Sequence, residues 1–264
     1  PLNAANVNPV KVITRPDQFV GAKTFAIPDD GSGGSFTTDN DFDMIWTKNR
    51  TNSGKNHVLQ DSVRGYGDNK SLHPNLTVAQ TSTNNIMSVS GRTVTIGSND
   101  NYYDNNVAWS WRAGGNKNTF NKDDVGYASA AAAGLTAGSV TPTGASVGTK
   151  QGFSIIKWDA PDPQDNSATI PHGLTQKPDF WIVKSTTRTA DWLVYTQQID
   201  GSLDFGRLNR TDTAGFAGSS ATAPTATTFG TYGDDINYAG TTQIAYLWHD
   251  VPGLQKFGTF EGNG

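Results

Sequence analysis

Aspartates gathered in short polar loops are the residues of this chain best suited to chemistry. The candidates fall into three clusters: Asp39 with Asp41, Asp100 with Asp104, and Asp234 with Asp235. Calcium takes about six to eight oxygen ligands, and loops of this kind supply carboxylate and carbonyl oxygens together. None of the clusters has EF-hand spacing, and Asp and Asn are also good turn formers. The pattern is more typical of solvated turns than of calcium sites, and it requires no cofactor.

Catalytic patterns are weak. Gly144–Gly148 reads Gly-x-Ser-x-Gly, but a nucleophile elbow needs a strand before the serine and a helix after it, and no helix is predicted here. The four histidines lack metal-ligand spacing. A polysaccharide depolymerase would need a pair of acids across a cleft, and the chain has a single Glu, Glu261. The sequence therefore predicts no catalytic residue and a protein that is not an enzyme.

Aromatic side chains offer a different kind of site. Loop aromatics without a packing role can form a stacking platform for sugars, and the candidates are Tyr102, Tyr103, Tyr232 and Tyr238. Trp109 and Trp111 lie two residues apart on one face of a predicted strand, as do Tyr246 and Trp248. That face is predicted to belong to the core, so the loop tyrosines are the ligand-binding candidates and a host-surface glycan is the candidate ligand.

Composition narrows the fold and the partners. Only 17% of residues are charged while Gly reaches 29 residues, which suits an all-β protein with many turns. A net charge of −4 without a basic stripe argues against nucleic acid, and no apolar run is long enough for membrane insertion. The absence of cysteine excludes disulfides and thiol catalysis. It fits a protein that is made in a reducing cytosol and later works outside the cell.

An internal repeat is the strongest organisational signal. Asp43–Lys48 matches Asp179–Lys184 at a spacing of 136 residues (179 − 43), and Trp111 matches Trp248 at 137 (248 − 111). Several other apolar positions keep this spacing, which indicates two tandem copies of one module. The repeated residues are mostly apolar strand positions, so the duplication preserves a scaffold rather than a catalytic site.

The repeat divides the chain into four parts. We expect an extended anchoring arm over 1–20, a β-sandwich module over 21–115, a Gly/Ala/Ser/Thr-rich linker over 116–150 and a second β-sandwich module over 151–264. The predicted fold is thus two tandem antiparallel sandwiches of jelly-roll or lectin-like type. The tail Gly253–Phe260 resembles the opening strand of the second module and is predicted to be an additional strand. It could complete the sheet of its own module, cover an exposed edge or pair with a neighbouring chain.

The second half also carries a longer pattern. It combines His172-Gly173-Leu174, Asp191-Trp192-Leu193-Val194-Tyr195, the strand ending at Trp248, and the glycine-rich stretch from Gly253 to Gly264. The chain resembles a domain family of unknown function that occurs, often in tandem, in structural and tail-fibre-like proteins of marine and cyanobacterial phages. The resemblance covers 152–264 well and 36–115 more loosely, since the first copy lacks the His-Gly-Leu segment. It brings no catalytic residues.

The resemblance implies a place on the exterior of a virion. We expect a bacteriophage structural protein, part of a tail fibre or receptor-binding appendage used in host attachment, whose arm contacts other virion proteins. Fibres of this kind are commonly homotrimers, so self-association is expected. Two alternatives stay open: a capsid decoration or head-fibre protein that stabilises the head, and a carbohydrate-binding or depolymerase module.

Overall fold

The computed structural model describes residues 12–82, 86–99, 101–162, 164–210, 216–233 and 236–261. These residues form an all-β protein with one short 3-10 helix, Pro16–Gln18, and no α-helix among them. The first half contributes these strands: β1 (Val20–Ile27), β2 (Gly34–Thr37), β3 (Met44–Asn49), β4 (Val58–Asp61), β5 (Ile86–Ser90), β6 (Thr93–Ile96) and β7 (Asp104–Trp111). The prediction of an all-β fold is confirmed.

Eleven further strands follow: β8 (Phe120–Lys122), β9 (Val125–Tyr127), β10 (Gly144–Gly148), β11 (Phe153–Asp159), β12 (Thr169–Pro171), β13 (Phe180–Ser185), β14 (Leu193–Thr196), β15 (Asp204–Arg207), β16 (Ala217–Gly218), β17 (Thr228–Gly230) and β18 (Thr242–Trp248). They build a nine-stranded sheet, β16-β15-β14-β13-β18-β11-β10-β8-β9, and a two-stranded sheet, β12-β17. The first half forms a four-stranded sheet, β1-β7-β3-β4, and a three-stranded sheet, β2-β6-β5. Among the described strands, every strand pairing is antiparallel except that of β10 with β8.

The two large sheets share one strand order and register. In the first, Trp111 of β7 lies opposite Val20 on one side and Met44 on the other. In the second, Trp248 of β18 lies opposite Phe153 and Phe180 in the same way. The order β1-β7-β3-β4 therefore has its counterpart in β11-β18-β13-β14, and the residues aligned in the sequence occupy matching places.

The sheets are stacked as layers, and an apolar core lies in each of the three spaces between them. One lies between the three- and four-stranded sheets and includes Ile45 and Val94. A second lies between the nine- and two-stranded sheets and includes Trp181 and Phe229. The third joins the two large sheets back to back, with Met44 from the first half among residues of the second. The side chains of a strand alternate between faces, so both faces of each large sheet are packed.

The segment 116–150 is not a linker. It supplies β8, β9 and β10, which extend the nine-stranded sheet, and Phe120, Leu135 and Val147 are buried in its core. The segment also packs closely on the chain before it, because a Cβ on Gly114 would lie 2.5 Å from the carbonyl oxygen of Val147. The composition that suggested a flexible connection instead allows close approach between strands.

Both ends of the chain differ from the expectation. Of the arm, residues 1–11 lie outside the described residues; the rest docks on the chain itself, where the Ile13 amide donates to the Pro252 carbonyl at 2.9 Å. Ile13, Phe19 and Val251 form a small buried cluster there. The tail does not form the predicted strand over 253–261; it begins with a turn closed by a bridge between Val251 and Gln255. No helix among the described residues is long and apolar enough to cross a membrane.

Candidate functional site

An open aromatic cleft lies where the two large sheets meet at one end. The register places Trp111 beside Met44 and Trp248 beside Phe180, so four large side chains collect at this end. The cleft has a volume of ≈ 470 Å³, within the range of small-molecule sites. Its lining comprises Val20, Met44, Trp46, Trp111, Phe180, Ile182, Leu208, Trp248, Leu254, Gln255, Lys256 and Phe257.

The rings of the cleft are held by contacts with one another. The Trp111 and Trp248 centroids are 6.4 Å apart at 69°, an edge-to-face pair with one ring from each half. Phe257 stacks on Phe180 with centroids 5.5 Å apart and planes 7° from parallel. The indole N–H of Trp46 donates to Nδ1 of His57 at 2.9 Å. The rings are thus preorganised, which lowers the entropic cost of binding a flat ligand.

Polar groups in the lining are few and already engaged. The Gln255 side-chain amide donates to the His249 carbonyl at 2.8 Å and to the Gly152 carbonyl at 3.2 Å. The Lys256 ammonium lies at the rim and pairs with Asp250, whose hydrogen bond and charge raise the pKa of that lysine. No described lining residue carries a carboxylate, hydroxyl or imidazole. The arrangement suits stacking and apolar contact rather than acid–base chemistry.

A second cleft of ≈ 420 Å³ shares Phe180, Lys256 and Phe257 with the first. Ile199, Phe216 and Phe260 also line it. They are 46%, 47% and 93% exposed, which is unusual for large apolar side chains lying together. Lys256 and Phe257 of the tail therefore line both apolar clefts.

A repeated aspartate clamp supports the end of each large sheet. The amide of Asp43 donates to the Trp111 carbonyl at 2.7 Å, and Oδ2 of Asp43 accepts from the Ala113 amide at 2.7 Å. In the second half, the amide of Asp179 donates to the Trp248 carbonyl at 2.8 Å, and Oδ2 of Asp179 accepts from the Asp250 amide at 2.7 Å. Each clamp fixes the chain immediately after a cleft tryptophan. Burial raises the pKa of the Asp43 carboxyl despite these hydrogen bonds.

The predicted tyrosine sites separate into buried and exposed residues. Tyr102 is wrong as a ligand candidate, since it is 1% exposed and its hydroxyl lies 2.8 Å from that of Thr47. Tyr103 is partly buried. Tyr232 and Tyr238 are 44% and 49% exposed. These two lie at the surface, and neither is among the residues that line the aromatic cleft.

A guanidinium accompanies one of the exposed rings. The Arg188 side chain lies over the ring of Tyr238, 4.3 Å from its centroid. A cation over one face of the ring leaves only the other face for a ligand.

The predicted calcium clusters do not assemble a coordination shell in the described part of the chain. Asp39 pairs with Lys23 at 3.0 Å, and Asp41 and Asp104 are exposed. Asp100, Asp234 and Asp235 lie outside the described residues. Among the described residues, no three or more His, Cys, Asp or Glu side chains are grouped to hold a metal ion.

Two further motifs have structural roles. Ser146 of the Gly-x-Ser-x-Gly segment lies within β10 and is buried; its hydroxyl accepts from the Gly114 amide and donates to the Gly115 carbonyl, both at 2.9 Å. It is therefore a strand residue and not an exposed nucleophile. His172 is buried in a turn, where its Nδ1 accepts from the Leu174 amide at 3.0 Å. The prediction of a backbone-bonding turn residue is confirmed for His172.

The cleft itself was missed by sequence reasoning. The sequence signal is the aligned pair Trp111 and Trp248, whose repeated position on a strand predicts a core role. In the structure Trp248 is nearly buried while Trp111 is half-buried, so the pair serves both the core and the wall of the cleft. Only the back-to-back packing of the sheets brings the two rings together.

The fold and the cleft define an all-β protein of face-packed sheets with an aromatic surface at their junction. A family model matches residues 16–264, nearly the whole chain. The chain therefore belongs to the family described as a domain of unknown function (DUF7483). Comparisons with curated proteins and with solved structures give no significant match.

Proposed function

We propose that the chain consists of two β-sandwich modules produced by duplication of one ancestor. The support is the agreement between the sequence spacing and the strand register, in which Trp111 and Trp248 occupy equivalent positions. The small sheets β2-β6 and β12-β17 add an antiparallel pair at corresponding places in the two halves. The modules pack back to back, so the second layer of each faces outward.

We further propose that this protein is a non-catalytic component of a phage particle, exposed on a tail fibre or receptor-binding appendage. The sequence resemblance to phage structural proteins supports the location. The observation that carries the binding role is the cleft, where Trp46, Trp111, Phe180, Trp248 and Phe257 present rings without catalytic groups. A host-surface glycan fits this lining, because the flat apolar face of a sugar ring stacks on an aromatic side chain.

Binding of the purified protein to host cells and to their extracted surface polysaccharide tests this proposal. Phe257→Ala removes a ring that covers the cleft from the tail, and Tyr238→Ala removes an exposed ring outside it. We expect Phe257→Ala to weaken binding at least about tenfold and Tyr238→Ala to leave it unchanged. Loss of binding in Tyr238→Ala alone would move the site to the loop, and full binding by both variants would remove the aromatic site altogether.

A capsid decoration role is the second candidate, and the exposed apolar cleft favours it. Ile199, Phe216 and Phe260 form a surface that a neighbouring virion subunit could cover. A decoration protein occurs at high copy number on the head, whereas a fibre component occurs at low copy number on the tail. Quantification of the protein in purified heads and tails separates the two roles.

A further inference from the structure

Among the described residues, no strand pairs with the outer edge of β1, whereas the equivalent edge in the second half is covered by β10. β11 pairs with β18 on one side and with β10 on the other, and all five residues of β10 are buried. β1 holds the place of β11 in the first large sheet, yet within the described residues its only strand partner is β7. Within the part of the chain that the structure describes, the same kind of edge is thus covered once and left open once.

The direction of the backbone groups on β1 follows from one hydrogen bond. The Arg112 amide donates to the Phe19 carbonyl at 2.8 Å, just beyond the pair of Val20 with Trp111. Hydrogen-bonded and non-hydrogen-bonded pairs alternate along an antiparallel ladder. Alternate residues of β1 therefore turn their amide and carbonyl groups away from β7: Val20, Ala22, Thr24 and Ala26.

The same alternation in β11 shows what these groups are suited to bind. The His249 amide donates to the Gly152 carbonyl at 3.1 Å, so Phe153, Ile155 and Lys157 turn their backbone groups toward β10. These three lie opposite Gly148, Ser146 and Gly144 of β10. None of the outward groups of β1 has a hydrogen-bond partner among the described residues. A strand added at β1 would therefore find the same alternation of outward-facing amide and carbonyl groups to which β10 pairs at β11.

We propose that the β1 edges of two copies of this chain pair antiparallel around a two-fold axis at Thr24. Thr24 then lies opposite the partner's Thr24, and Ala22 lies opposite the partner's Ala26. Each of these pairs consists of outward-facing residues, so each can form two backbone hydrogen bonds. The result is a continuous eight-stranded sheet in place of two open edges, and the inference does not depend on the proposed virion role.

Charge and side-chain size favour this register and a second copy as the occupant. Lys23 is engaged by Asp39 at 3.0 Å and would face the partner's Phe25. Moving the axis to Lys23 would place two ammonium groups opposite each other, which is unfavourable. The outward-facing residues Ala22, Thr24 and Ala26 are small or neutral, and isologous pairing closes both edges at once. A two-fold dimer, in place of a trimer, is the expected building unit.

Sedimentation of the 264-residue chain over a range of concentrations tests the pairing, with Thr24→Pro as the disrupting variant. Proline removes an amide that faces away from β7, a position where an edge strand tolerates it. Thr24→Ala is the matched control, because it removes the same hydroxyl and keeps the amide. We expect dimers for the parent and for Thr24→Ala, and a dimer Kd raised at least about tenfold in Thr24→Pro.

Hydrogen exchange of the unmodified protein supplies evidence that does not depend on how the proline variant folds. The amides of Ala22, Thr24 and Ala26 should exchange slowly when the dimer predominates and fast after dilution. A monomer at all concentrations would overturn the proposal, as would a dimer or trimer unaffected by Thr24→Pro. Slow exchange in a monomer that is lost on deletion of residues 1–11 would assign the edge to that segment and overturn the pairing.

Discussion

The indoles of Trp111 and Trp248 meet edge to face with centroids 6.4 Å apart, and each ends an inner strand of its own large sheet. The contact joins two halves that the sequence presents as separate modules. Trp248 also stacks on Phe153 at 4.8 Å, so the pair continues into the shared core. The halves therefore bury a common apolar surface.

Removal of Trp248 should destabilise both halves together. We expect Trp248→Ala to lower the free energy of unfolding by about 3–5 kcal/mol, because a large ring leaves a cavity between the sheets. A double-mutant cycle measures the coupling of the two rings: chemical denaturation is followed for this variant, for Trp111→Ala and for the double variant. The coupling between the rings should be about 0.5–1.5 kcal/mol. Additive losses, or separate unfolding transitions for the two halves, would contradict a shared core.

The hydroxyl of Tyr246 should stabilise the contact between the halves. It donates to Oδ2 of Asp61 at 2.7 Å, and Asp61 also accepts from Arg64 in a fully buried ion pair. We expect Tyr246→Phe to cost about 1–3 kcal/mol, because a buried carboxylate loses a donor. Tyr238→Phe is the control, since that side chain is half exposed. Equal unfolding midpoints for both variants would show that the buried hydroxyl contributes nothing.

Gly114 should tolerate no side chain. A Cβ there would lie 2.5 Å from the carbonyl oxygen and 2.6 Å from the amide nitrogen of Val147, both backbone atoms of β10. We expect Gly114→Ala to destabilise by about 1–3 kcal/mol, because the strand must move. Gly218→Ala is the matched control, with no atom within 4 Å of its Cβ. A thermal shift as small for Gly114→Ala as for Gly218→Ala would contradict the close packing of residues 116–150.

Stability should fall on acidification partly through His172. Burial lowers the pKa of His172 from 6.5 to about 4, although a hydrogen bond with the Thr225 carbonyl opposes the shift. Between these values the unfolded chain binds a proton that the folded chain does not, so stability is lost as the pH falls. Once the pH has fallen through the range between these two pKa values, the free energy of unfolding lost through His172 is about 3 kcal/mol.

The matched variant for this pH dependence is His172→Asn, which keeps an acceptor for the Leu174 amide. Urea unfolding at a series of pH values should show that the free energy of unfolding declines less steeply for the variant. The difference in slope should correspond to about one proton fewer taken up on unfolding. Some decline should remain, because burial also lowers the pKa of His57 and His73. The same slope in both proteins would contradict a neutral, buried His172.

Strands were predictable where local pattern decides them. Alternating apolar residues and β-branched side chains located β3, β7, β13 and β18 to within a residue or two, and the repeat aligned them correctly. Those signals arise within the strand itself, from the two-residue period of a half-buried sheet. The turn at His172 was predictable for the same reason, since its hydrogen bond reaches only two residues along the chain.

Features set by packing between distant segments were not predictable. The Gly-rich run ending at Gly148 pairs with β11 as a buried strand, and small residues there give the same composition as a linker. Tyr102 follows a polar loop but turns into the core to meet Thr47. The strand-like tail at Phe257 is used instead to cover the aromatic cleft. In each case the deciding contact comes from a segment far away in the chain.

Quantitative mass spectrometry of purified phage particles, before and after the tails are sheared off, tests the proposed virion role most directly. The account predicts recovery of this protein with the tails at low copy number. Recovery with tail-free heads at high copy number would contradict the fibre role and support decoration. Absence from purified particles would contradict both.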